Sequence, residues 1–539
     1  MAATLTPAAL AANSASSAVD SHAALPAAAK ASAGEGVSQP CWLPGLAHAA
    51  RCGVLRRALD PARPLGPQIE LHFAVLPALA RHKADDAVFF FAGGPGQSAV
   101  DLAAVLAARY ARLNQRRDLV FVDQRGTGRS APLKCADDDE RAVLRPLAEQ
   151  VDDALRLRQL SRCRLTLQAR PHGDLRFYTT VLATADADAV RQALGITRIN
   201  AIGASYGTRA VLDYQRQYPL HVRRAVLDGV APPDMRLPDA ASADNQAALD
   251  ALFDACAAQP ACAQRYPALR AQWLALLAGL PRQVVLPHPV TGRPETVTLQ
   301  RDGVLALVRA SLYVPMLVAA LPAAITEATA GRWAPLAALA GALGGGKTGV
   351  LASGLHFSVV CAEDMGPQAP LPVAPVAAPA ATSSARAALP AASTVFGASL
   401  ASLYQQVCAD WPRGEVPAAF YTLPRAATPT WLLSGGLDPV TPPRHGERVA
   451  RALGPLARHI VVANVGHGVA GLACMREAIS RFITTDDDAA ALAVDASCAD
   501  AMPRALAFMP PGAGLATPPA QPASGAPAAP AVGPATKAH

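Results

Sequence analysis

At 539 residues the chain exceeds what one hydrophobic core normally organises, since single domains stop growing near roughly 250–300 residues, so a core plus an insertion is expected. A composition that is 51% apolar and only 17% charged excludes a disordered or fibrous chain. The net charge of +7 comes from arginines spread thinly along a chain with 5% aromatics, which excludes the clustered basic surface of a nucleic-acid-binding protein.

In chain order, residues 1–40 form an Ala/Ser-rich lead without the basic start and continuous apolar stretch of a secretory signal. Residues 41–238 carry short branched and aromatic runs that end in Gly-rich turns: Ala87 to Phe91 before GGPG, Leu119 to Val122 before DQRGTGRS, Ile199 to Ile202 before GASYG, and Ala225 to Leu227 before DGVAPP. Helix-like segments at Thr184 to Leu194 and Thr208 to Gln217 alternate with them. This alternation predicts an α/β fold with a mostly parallel central sheet flanked by helices, its functional residues at the carboxyl ends of the strands.

Residues 239–395 are rich in Ala and Leu at helical spacing and read as an inserted helical cap, with a Pro/Ala run at Gly366 to Ala392 as a long exposed loop. The best candidate for a membrane span, Gly303 to Ala323, is interrupted by Arg309 and Pro315, so no span is expected. Residues 396–503 return to the core pattern with strands at Trp431 to Leu433 and His459 to Val462. The Pro/Ala-rich tail, 504–539, has too little apolar bulk to offset its chain entropy and reads as disordered.

The ten cysteines, at 41, 52, 135, 163, 256, 262, 361, 408, 474 and 498, fall into successive close pairs and match no metal-ligand spacing. Structural disulfides follow, with connectivity left open, and they imply a periplasmic or extracellular protein. Buried free thiols in a cytoplasmic protein are the alternative.

Gly203-Ala204-Ser205-Tyr206-Gly207 matches G-x-S-x-G between a strand and a helix, the setting of a nucleophile elbow. A serine hydroxyl needs a base held in one tautomer by an acid. Asp438, in SGGLDPVTPP after one strand, and His467, in NVGHG after the next, supply these in the order Ser, Asp, His that such a fold uses. Asp228, after DGV's preceding strand, is the competing acid. His445 reads as a solvent-facing helix start, and His356 as a satisfied core group. The oxyanion of an acyl-transfer intermediate needs two backbone N–H groups, assigned to Tyr206 and to Gly94 in the GGPG loop. Gly341 to Thr348 fits the phosphate-binding G-x-x-x-x-G-K-[ST] pattern but follows a helix-like segment rather than a strand, which argues against nucleotide binding.

Together FFFAGGPGQS, DLVFVDQRGTGRS, GASYGTRA, LLSGGLDPVTPP and NVGHG resemble the proline iminopeptidase and tripeptidyl aminopeptidase family of α/β-hydrolases, from about Cys41 to Cys498. DACAAQPACAQRYP and VVCAEDM match the tripeptidyl branch better. The resemblance implies a serine exopeptidase that acts through an acyl-enzyme on Ser205, on short peptides with a free N-terminus, without metal or organic cofactor. Ala92, where many iminopeptidases have His, weakens a strict preference for N-terminal proline. A protonated amine calls for a partly desolvated carboxylate, and Glu363 and Asp364 are the candidates. A carboxylesterase with the same triad and a non-catalytic binding protein are the competing functions, and oligomeric state is left open.

Overall fold

The computed structural model describes residues 37–344, 350–366, 395–397 and 399–510. Its main sheet grows from the short apolar runs seen in the sequence. Strands β1 (Ser38–Cys41), β2 (Ala50–Ala58) and β3 (Gln68–Leu76) form an antiparallel edge. Then come β4 (Ala87–Phe91), β5 (Asp118–Val122), β6 (Ile199–Ala204) and β7 (Val222–Asp228). The cap interrupts the sequence with a hairpin of β8 (Arg282–Pro287) and β9 (Pro294–Leu299), and the sheet is completed by β10 (Thr430–Gly435) and β11 (Ala457–Val462). The order is β1-β2-β3-β5-β4-β6-β7-β10-β11, parallel from β5 onward.

The period-two geometry of a strand explains why these runs are apolar throughout rather than alternating. In β4, Val88 and Phe90 face one core with the helices Ala103–Arg109 and Ala473–Thr484, while Ala87 and Phe89 face another with Thr180–Ala193, Tyr206–Gln217 and Pro443–Leu453. In β10, Trp431 and Leu433 likewise oppose Leu432. Trp431 stacks on Phe482 at 4.6 Å, which fixes the helix Ala473–Thr484 against the sheet.

The cap has its own core, in which Trp273, Leu249, Leu321 and Ile325 are buried together. The Ala/Leu spacing predicts a helical cap, but the cap is not wholly helical. The hairpin β8/β9 contributes Leu286, Val297 and Leu299 to the cap core. Its β-branched residues are a strand signal, but the runs are short and enclosed by Ala/Leu-rich helices. The helix Ser353–Glu363, within the expected cap, packs instead with Leu133, Leu167 and Tyr206 of the main domain.

Residues 504–510, expected to belong to the tail, lie against the cap: the Phe508 N–H donates to the Ala319 carbonyl at 2.8 Å, and the Tyr266 hydroxyl to the Phe508 carbonyl at 2.7 Å. The rest of the tail, the lead through Gly36 and residues 367–394 of the Pro/Ala run lie outside the described residues. Of the glycine-rich phosphate-binding pattern, Gly341 to Gly344 end the helix Ala334–Gly344, and residues 345–348 lie outside the described residues.

Five disulfides join the cysteines as successive pairs: Cys41–Cys52, Cys135–Cys163, Cys256–Cys262, Cys361–Cys408 and Cys474–Cys498. Among the described residues no helix is long and apolar enough to cross a membrane.

Candidate active site

Ser205 stands between β6 and the helix Tyr206–Gln217 with φ 55° and ψ −124°, a left-handed conformation that costs a non-glycine residue on the order of 1–3 kcal/mol. Surrounding structure holds it there. Its N–H donates to the Asp228 carbonyl of β7 at 2.8 Å, and its carbonyl accepts from the Thr208 N–H and hydroxyl at 2.9 and 2.6 Å. Strand and helix meet so closely that a Cβ on Gly203 would collide with the Gly207 carbonyl, and one on Gly207 with the Phe91 carbonyl. Both glycines of the motif are therefore steric requirements.

His467 follows β11, and its Nδ1 lies 2.8 Å from Asp438 Oδ2, on the loop after β10. Asp438 also accepts from the N–H groups of Val440 and Thr441, both at 2.9 Å, and from the Thr441 hydroxyl at 2.7 Å. Burial opposes charge on both members. The attraction between them outweighs it, holding the Asp438 carboxyl below its ordinary value and the His467 imidazole above 6.5. Asp228, the competing acid, is occupied elsewhere: its carboxylate accepts from the N–H groups of Val469 and Ala470 at 2.8 and 3.0 Å, which ties down the chain just after His467.

The two halves of the site meet at Gly229. A Cβ there would lie 3.0 Å from His467 Cε1, while the preceding Asp228 carbonyl holds the Ser205 N–H. Among the described residues Ser205 Oγ makes no hydrogen bond to His467, whose Nδ1 is engaged by Asp438. The cap reaches the dyad through Tyr313, whose carbonyl accepts from the His467 N–H at 3.3 Å and whose ring meets the imidazole edge-on at 5.5 Å.

The GGPG loop faces Ser205: a Cβ on Gly93 would come 3.4 Å from Ser205 Cβ. Gly94 has φ 109°, and a Cβ would sit 2.7 Å from the Gly96 nitrogen, so glycine is needed there. Tyr206 opens its helix, so its N–H has no intrahelical acceptor. An arrangement of this kind can stabilise an oxyanion formed on a carbonyl attacked by Ser205.

Glu363 and Asp364 are buried, and both meet the guanidinium of Arg209. Arg209 Nη1 donates to Asp364 Oδ1 at 2.6 Å, and Arg209 Nη2 to the Met235 carbonyl at 2.8 Å. Glu363 accepts from the N–H and hydroxyl of Thr180 at 2.6 and 2.9 Å, and the Thr180 hydroxyl lies 2.7 Å from that of Tyr206. Burial, only partly offset by Arg209, pushes the Glu363 carboxyl up to about 7. Thr180, Arg209 and Tyr313 carry no separate sequence signal, because each matters only through a partner far along the chain.

His356 is half-buried with both ring nitrogens engaged, as a satisfied group should be. Burial pushes its imidazole down to about 4. Nδ1 therefore carries the proton and donates to the Pro95 carbonyl at 3.2 Å, and Nε2 accepts from the Tyr404 hydroxyl at 2.7 Å. The ring thus braces the GGPG loop. His445, in contrast, is not solvent-facing: it is buried and pairs with Asp244 of the cap at 3.0 Å, because its helix start is covered by the insertion.

A cavity of about 330 Å³ opens at Ser205 and is lined by Gly94, Arg209, Tyr313, Asp364 and Tyr404, among others. Glu363 is not on its wall; it lies behind Tyr206.

Comparison with known proteins bears on this geometry. The family described as alpha/beta hydrolase fold matches residues 86–312, and that described as TAP-like protein matches 393–498. The protein named Carboxylesterase B of Mycobacterium tuberculosis (strain CDC 1551 / Oshkosh) is 30% identical over 443 residues, covering 75% of this chain and 78% of that one. The chain belongs to the α/β-hydrolase family. Within this family it carries a TAP-like C-terminal segment. Tripeptidyl aminopeptidase of Streptomyces coelicolor is 33% identical over 192 residues, 34% of this chain and 35% of that one. Serine protease Hip1 of Mycobacterium tuberculosis (strain ATCC 25618 / H37Rv) is 31% identical over 196 residues, 34% and 36% of the two chains. The alignment thus spans about a third of the length of these peptidase relatives.

Proposed function

We propose that this α/β-hydrolase is a serine exopeptidase that cleaves short peptides near their free N-terminus. The observation that carries the reading is the 2.8 Å Asp438–His467 contact beside the strained Ser205 and the GGPG loop. His467 Nε2 takes the Ser205 proton as Oγ attacks the scissile carbonyl. The oxyanion is held by the Gly94 and Tyr206 N–H groups, the amine leaves with a proton from His467, and water releases the acyl half. The peptide preference is supported by the TAP-like segment and by the enclosing cap.

Of the two carboxylates expected to meet the substrate amine, Asp364 lines the cavity and takes that role, while Glu363 positions Tyr206 through Thr180. The disulfides support folding in an oxidising compartment, and hence export.

A second reading, a carboxylesterase using the same three side chains, is favoured by the alignment over three-quarters of the chain to a protein of that name. A panel of aminoacyl-, prolyl- and tripeptidyl-anilides, run beside simple esters, separates the two. The peptidase reading expects anilide turnover that is lost on N-acetylation and weakened in KM by Asp364→Asn. Turnover confined to esters overturns it.

A further inference from the structure

The cavity at Ser205 adjoins a second one of about 290 Å³ between the helix Asp153–Gln168 and the cap helix Arg301–Leu312. Arg156, from the first helix, and Arg309, from the second, line both cavities and so stand at their junction. Their charges act on the same group, since both hold back the rise of the Tyr404 hydroxyl's pKa. Most of the arginines deeper in the main domain are spent on carboxylates: Arg125 on Asp186, Arg191 on Asp188, Arg209 on Asp364. Among the described residues Arg156 and Arg309 differ, because neither guanidinium donates a hydrogen bond or lies within ion-pair distance of a carboxylate.

Asp153 and Asp302 line only the second cavity. On the wall of the cavity at Ser205, the carboxylate present, Asp364, is already engaged by Arg209. The free charge there is thus positive, and guanidinium groups match a carboxylate's geometry better than any other side chain.

We propose that Arg156 and Arg309 form a subsite for a substrate carboxylate at the junction of the two cavities. The proposal rests on the peptidase reading of Ser205 and deepens it. With Asp364 facing the amine, the cleft measures a short peptide by its charged ends, and the carboxylate comes from its C-terminus or from an acidic side chain.

The test is equilibrium binding to the full-length Ser205→Ala protein, which does not depend on turnover, by titration calorimetry at low and high salt. Three probes are used: a tetrapeptide with a free C-terminus, the same peptide C-terminally amidated, and an amidated version with glutamate as its last residue. The free acid should bind at least about tenfold more tightly than the amide, and added salt should erode the difference. Tight binding of the glutamyl amide identifies a side-chain carboxylate as equally acceptable; weak binding restricts the subsite to the C-terminus. Arg156→Gln with Arg309→Gln should abolish the preference, and the paired Lys substitutions should restore part of it. Equal binding of acid and amide, a preference that survives the Gln pair, or no peptide binding at all overturns the subsite. A failure of the peptidase reading shows separately, as absence of anilide turnover by the unsubstituted protein.

Discussion

Two clusters of acid and base flank the same cavity, and they are built for opposite ends. Asp438 with His467 joins a carboxylate to a cation that can lose its proton, and His467 retains 19% side-chain exposure. Glu363 and Asp364 with Arg209 join carboxylates to a cation that cannot, all of them buried, with Arg209 and Asp364 meeting the cavity wall and Glu363 behind it. The first can move a proton during a reaction cycle, whereas the second braces Tyr206 through Thr180 and anchors Met235 and Leu237 at the start of the cap. Burial of charge alone does not identify a reactive site; a titratable partner beside a nucleophile does.

Substitution can break or sharpen this contrast. The largest effect is expected from Ser205→Ala, which should lower kcat/KM by roughly 10⁶ on any substrate turned over. Activity persisting in a carefully purified variant would remove the first cluster from the chemistry. Asp438→Asn should lower kcat by about 10⁴, since it disturbs the imidazole tautomer. It should also move the acid limb of the pH profile. His467 acts as a base only when neutral, and Asp438 raises its pKa, so in the unsubstituted protein rate is lost as pH falls through a midpoint above 6.5. Without the carboxylate that midpoint should fall, and an unmoved limb would contradict the pairing.

Arg209→Met leaves two buried carboxylates uncompensated and should destabilise the fold by about 3–5 kcal/mol, seen as a lower Tm. Adding Glu363→Gln and Asp364→Asn should recover much of this. If it does not, the cluster is not the charge scaffold described. The smallest effect is expected from Thr441→Val, which removes one hydrogen bond to Asp438 and should reduce kcat/KM by about tenfold or less with Tm nearly unchanged.

The parallel part of the sheet was legible because each strand announces itself locally, as a branched apolar run closed by glycine. β1, β2 and β3 were not read, since polar residues interrupt their runs: Ser38 and Gln39 in β1, Arg51, Arg56 and Arg57 in β2, and Gln68, Glu70 and His72 in β3. The cap hairpin was hidden for a related reason, its strands being short and surrounded by Ala/Leu helices. His445 was misread because a residue at a helix start looks exposed until the insertion that covers it is in place.

By itself the sequence determined the strand ends, the positions of Ser205 and His467 after them, the glycines that the Ser205 turn requires, and the grouping of ten cysteines into successive close pairs with their connectivity left open. These follow from local backbone sterics and short chain separations. Only the tertiary structure decided which carboxylate meets His467. Asp228 and Asp438 both follow apolar runs at the ends of adjacent strands, with Asp228 level with Leu433, and no sequence period encodes which of them turns toward the imidazole. It likewise decided that Glu363 and Asp364 are buried against Arg209, some 150 residues away, because an ion pair of that span exists only once the helices that carry it have packed.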